Sequence, residues 1–73
     1  MERKFKADKY GRYGEGRRLW TIFTKDDTCK KGEYAEELDI FADTPGKAKK
    51  LAESILKEYY VDGLRVSRIE MIY

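Results

Sequence analysis

The chain has 73 residues, 41% hydrophobic and 41% charged, with 14% aromatic, no histidine, one cysteine and a net charge of +2. That length holds one domain with a thin core, enough for one sheet and one helix, and the lone Cys29 excludes an internal disulfide and a multi-cysteine metal site. No apolar run approaches the ~20 residues of a membrane span, and the Met-Glu-Arg-Lys start lacks the apolar stretch of a signal peptide, so a cytoplasmic protein is expected.

Charge is unevenly spread. Residues 1–18 carry seven basic and three acidic side chains, residues 19–44 three basic and seven acidic, and the remainder six and four. A basic end and an acidic middle favour oriented encounters with a charged partner of either sign.

In chain order, residues 1–18 read as a basic hairpin or arm and 19–73 as a ββαβ core. At Lys4–Tyr10, Phe5 and Ala7 alternate with Lys4, Lys6 and Asp8. This segment would pair back onto Arg17–Phe23 through the glycine-bearing stretch YGRYGEGRR. Arg18–Lys25 (RLWTIFTK) and Tyr34–Ala42 (YAEELDIFA) are strands by their aromatic and β-branched content, joined by the polar loop Asp26–Glu33 with Gly32.

A helix over 45–60 follows. Thr44 is its N-cap and Pro45 its first residue. Ala48, Leu51, Ala52, Ile55, Leu56 and Tyr59 line one face, and Gly63 after Asp62 supplies the stop. Leu64–Tyr73 (LRVSRIEMIY) is the last strand. The expected fold is α+β: a small antiparallel sheet of three or four strands, one helix on one face, order (β)ββαβ.

Strand parity divides the faces. Leu38, Ile40 and Ala42 should meet the helix, while Glu37, Asp39 and Phe41 look the other way. Trp20 and Ile22 oppose Leu19 and Phe23, so the Trp20 strand is apolar on both sides. The last strand also divides its apolar residues between parities, which a bulge near Ser67-Arg68 would reset. One helix covers one face, so aromatic surface is left on the second, unless the N-terminal segment folds over it.

Catalysis is poorly supported. Without histidine the usual base near neutral pH is missing. Cys29 sits in a polar loop beside Lys30 and Lys31 with no base. Asp26-Asp27 and Glu36-Glu37 are adjacent pairs; along a strand, such neighbours point to opposite faces. The DDTCKKGE loop lacks calcium-ligand spacing, and GRYGEG neither follows a buried strand nor opens a helix. A non-enzymatic binding protein without cofactor or metal is expected.

Two kinds of partner fit. Nucleic acid would be held by Lys4, Lys6, Lys9, Tyr10, Arg12, Tyr13, Arg17, Arg18 and Lys25, the cations on phosphates and the rings on bases. The alternative is a basic protein, such as a nucleic-acid-handling effector, contacted by Phe23, Glu37, Asp39 and Phe41 on the sheet face. Homodimerisation by sheet packing or edge pairing would use the same surface.

Two resemblances bear on this choice. Trp20 in a strand, Phe41 near the end of the next and Thr44-Pro45-Gly46-Lys47-Ala48 opening a helix resemble the arm-binding domains of phage-type integrases. Those domains read DNA with a small sheet, which implies a role for Arg17, Arg18, Thr21 and Lys25. Here a strand is expected after the helix, where that family ends. The pattern ADTPGKAKKLAESI…VSRIEMI is similar to small phage-borne inhibitors, including some that block CRISPR effectors, and implies a protein-binding role.

Overall fold

The computed structural model describes residues 5–59 and 63–73. Lys4, residues 60–62 and the side chain of Tyr59, on which parts of the sequence reading fall, lie outside them.

Among the described residues the elements run β1 (Arg12–Tyr13), β2 (Arg18–Lys25), β3 (Glu37–Ala42), α1 (Pro45–Tyr59) and β4 (Arg65–Met71). The four strands form one sheet in the order β1-β3-β2-β4. The α+β fold with a single helix is as expected. The fourth strand is not where the sequence placed it, and it makes the sheet mixed: β1 runs parallel to β3, whereas β2 is antiparallel to both β3 and β4.

Residues 5–10 form no strand and do not pair with Arg17–Phe23. The reason is the position of β2. Being apolar on both faces, it takes the centre of the sheet, and its two edges are filled by β3 and β4, leaving none for the N-terminal segment. The Tyr34–Ala42 segment joins the sheet regularly only from Glu37. Its first residues instead continue alongside Thr24, whose amide donates to the Glu36 carbonyl while the Ala35 amide donates to the Thr24 carbonyl.

The helix begins as its cap predicts. The Lys47 amide donates to the Thr44 hydroxyl oxygen at 3.2 Å, satisfying one orphan N–H of the first turn. Its buried face, Ala48, Ala52, Ile55 and Leu56, packs on Trp20, Ile22, Leu38, Ile40 and Ala42 from the sheet. Ile22, Ile40 and Ile55 are wholly buried, each worth about 1.5–3 kcal/mol of transfer free energy. The Trp20 indole N–H donates to the Ala42 carbonyl at 2.8 Å, so the largest ring in the core carries no unmet donor. Phe5 and Tyr13 pack against this cluster from the β1 side, and Leu64, Val66 and Ile69 from around β4.

The expected bulge is present. Phe23 pairs with Arg68 but Thr24 pairs with Val66, which leaves Ser67 as the extra residue. The slip puts Val66 and Ile69 on the helix side together, although they are of opposite parity.

Candidate functional site: the helix-free sheet face

The side of the sheet away from the helix is built from three cross-strand rows. Arg12, Asp39, Thr21 and Glu70 align across all four strands. On one side of that row Phe41 pairs with Leu19, and on the other Glu37, Phe23 and Arg68 align. Lys25 and Arg65 follow beyond, opposite one another.

The aromatic rings of this face are not left bare. The Arg12 guanidinium carbon lies 4.9 Å from the centre of the Phe41 ring, and that of Arg68 lies 4.5 Å from the centre of the Phe23 ring. Tyr34 meets Phe23 edge to face, with ring centres 5.0 Å apart. A guanidinium stacked on a ring shields the carbons below while keeping its own edge N–H groups free to bond. Leu19 and Thr21 are buried on this side too, and the Thr21 hydroxyl donates to Asp39 at 3.3 Å. The expected uncovered aromatic patch is therefore a face of arginine-capped rings, one of them, Phe41, covered by Arg12 from the N-terminal segment. Beside Phe23, the face dips into a cavity of about 190 Å³ lined by Lys25, Tyr34, Ser67 and Arg68.

Arg12 is positioned by a tight turn. The Asp8 amide donates to the Arg12 carbonyl and the Gly11 amide to the Asp8 carbonyl, the pattern of a three-residue loop closed by a left-handed glycine (Gly11 φ 79°). The Asp8 carboxylate accepts from the amides of Tyr10 and Arg12 and pairs with the Arg12 guanidinium at 3.0 Å. These contacts, the Arg12 amide foremost, hold the Asp8 carboxyl below its ordinary range.

From β1 the chain wraps tightly around the end of β3 to enter β2. A Cβ on Gly16 would lie 2.5 Å from the Ala42 backbone, and one on Gly14 2.6 Å from the Phe41 carbonyl oxygen and 2.7 Å from Leu51. YGRYGEGRR is thus neither a floppy arm nor the turn of a hairpin paired onto β2. Its first glycine closes a turn, and the other two let one strand pass close around another.

The residues expected to hold nucleic acid do not gather. Arg12 and Lys25 are on the helix-free face, but apart, Arg12 on the β1 edge in the row of Thr21 and Lys25 at the end of central β2. Tyr13 pairs with Ile40 and packs on the core. Arg18 lies on the helix side, its guanidinium donating to the Met71 sulfur at 3.4 Å. The Arg17 amide donates to Asp43 at the end of β3. Lys6, Lys9 and Tyr10 are exposed beside the β1 edge, where Lys9 and Arg12 both approach the Tyr10 ring, at 5.0 and 4.7 Å. Lys4 is outside the described residues. By contrast, Phe23, Glu37, Asp39 and Phe41 all stand on one face.

Sequence reasoning missed Arg65, Arg68, Glu70 and Tyr34 as members of that face. The bulge was the available signal for Arg68, since resetting the phase at Ser67 sets it opposite Phe23.

In the loop between β2 and β3, the Asp26 carboxylate accepts from the amide and hydroxyl of Thr28 and from the Cys29 thiol. The Thr28 hydroxyl, with the amide behind it, keeps that carboxyl below its ordinary range. Cys29 is thereby part of a turn closed on Asp26. Among the described residues no group of acidic and cysteine side chains is arranged to hold a metal, and no helix is long and apolar enough to cross a membrane.

Comparison of the chain with protein-family models, with curated proteins and with solved structures finds no match.

Proposed function

We propose that this chain is a small binding protein that uses the helix-free sheet face to engage another protein, as an inhibitor or adaptor of the phage-borne kind would. The observation that carries the reading is the convergence of Phe23, Glu37, Asp39 and Phe41 on one face, while the residues expected to track nucleic acid are scattered over several. The face sets Arg12, Lys25, Arg65 and Arg68 among Glu37, Asp39 and Glu70. A polyphosphate crossing it would meet carboxylates at each step, whereas a protein surface can present complementary charges of both signs. Arginine and aromatic side chains are also the types enriched where protein interfaces derive their binding energy.

The test is affinity capture with folded protein, wild type against the pair Glu37→Lys and Asp39→Asn; the asparagine keeps an acceptor for Thr21. A partner retained by the wild type should be lost at least about tenfold from the variant, a change of about 1.4 kcal/mol. Equal retention by both counts against the face.

One observation favours a nucleic-acid contact as a second reading. The cations of Lys9 and Arg12 flank the exposed Tyr10 ring, a basic aromatic tip on which a base can stack. Titration with random single- and double-stranded DNA and RNA at low salt decides it. Binding that falls steeply with salt and is lost in Tyr10→Ala with Lys9→Glu would put nucleic acid ahead.

A further inference from the structure

The two edges of the sheet are β1, two residues long, and β4, seven residues long. Among the described residues no strand pairs with the outer side of β4. The Ile72 amide donates to the Leu19 carbonyl. Backbone groups alternate in direction along an antiparallel strand, so residues 70 and 68 also turn theirs to β2, while Ile69 and Met71 turn theirs outward. Unpaired donors and acceptors on an exposed edge are a template for another strand.

The side chains of β4 specify which strand fits. We infer that the outer edge of β4 pairs antiparallel with β4 of a second copy of this chain, about a two-fold axis through Ile69. In that register Ile69 faces the partner's Ile69 through its outward backbone groups, and Met71 faces the partner's Ser67. Arg68 faces the partner's Glu70, and Glu70 the partner's Arg68. Both lie on the helix-free face, more than half exposed, and 3.7 Å apart within one chain, so each gains a second opposite charge. A shift of the axis by one residue to Arg68 or Glu70 sets like charges against each other, so charge selects the register as well as the partner. The extra Ser67 ends regular pairing at the far side, which keeps the interface short and the dimer at the weak end of specific association. With the axis normal to the sheet, the two helix-free faces become one continuous surface on the same side. The inference stands whether or not that surface binds a protein.

Sedimentation equilibrium tests it without any ligand. The wild type should pass from the 8.6 kDa chain to twice that mass as concentration rises toward about 1 mM. Arg68→Glu and Glu70→Arg alone each replace two attractive pairs by two repulsive ones and should weaken the dimer about tenfold or more. An equimolar mixture of the two variants restores both pairs and should recover the dimer, as should the double exchange in one chain. Met71→Pro removes an outward amide only and should also weaken the dimer while circular dichroism remains native. A wild type that stays at 8.6 kDa throughout, or a dimer indifferent to the charge changes, overturns the inference. So does a mixture no more associated than its components.

Discussion

The edges of this sheet solve the same problem in opposite ways. β1 offers only Arg12 and Tyr13, and the chain on either side is locked: Asp8 ties down the turn before it, and Gly14 and Gly16 press the chain around the end of β3 after it. β4 presents a longer row, and its protection is confined to a bulge and charged side chains. An edge closed by turn geometry tolerates little substitution. An edge guarded by charge can be altered at little cost to the fold, and is therefore free to be used for association.

The largest effects should fall on the closed side. Gly16→Ala forces a methyl into the Ala42 backbone, and Gly14→Ala adds the strain of a left-handed residue (φ 81°) to a clash with Phe41 and Leu51. Each should destabilise by about 2 kcal/mol or more in urea denaturation, since overpacking costs about 1–3 kcal/mol and a left-handed Cβ about 1–2 more. A loss under about 0.5 kcal/mol would mean that β1 is not held this way.

A smaller effect concerns pH. The Asp8 carboxyl titrates below its ordinary value of 3.8, so its contribution to the turn is complete above that value and disappears as pH falls through the lowered one. Amide chemical shifts of Gly11 and Arg12 should follow this titration, and Asp8→Asn should flatten it. Shifts that move at the ordinary carboxylate value even in the wild type would show that the Asp8 contacts are not formed in solution.

The smallest effects belong to β4. Glu70→Arg should change monomer stability by less than about 0.5 kcal/mol, as exposed charges usually do, and Arg68→Glu, which gives up its place on the Phe23 ring, by about 1 kcal/mol, while both change association strongly. Loss of fold in these variants would erase the contrast between the two edges.

Most of the framework was legible in the residues themselves. Thr44-Pro45 and the spacing Ala48, Leu51, Ala52, Ile55 define α1 by local rules, and RLWTIFTK defines β2 over its observed length. The sharing of one face by Phe23, Glu37, Asp39 and Phe41 follows from the two-residue period of a strand and from the pairing of β2 with β3. The arrangement around the N-terminus was not legible. Alternation at Phe5 and Ala7 suggests a strand, but whether a strand pairs depends on a vacant neighbour, and β4, about sixty residues later in the chain, takes that place.

The glycines of YGRYGEGRR show the same limit. Their spacing announces turns, but Gly14 and Gly16 are required by atoms of Phe41, Ala42 and Leu51, whose proximity no local pattern encodes. The stacking of Arg12 on Phe41 and of Arg68 on Phe23 likewise joins residues 29 and 45 positions apart. By itself, then, the sequence determined the helix and its cap, the strands β2, β3 and β4 and the two faces of the central pair, because these rest on backbone periodicity and near neighbours. Tertiary structure alone decided strand order, the parallel β1 and the arginine cover on the aromatic face, because each depends on which distant segment lies alongside.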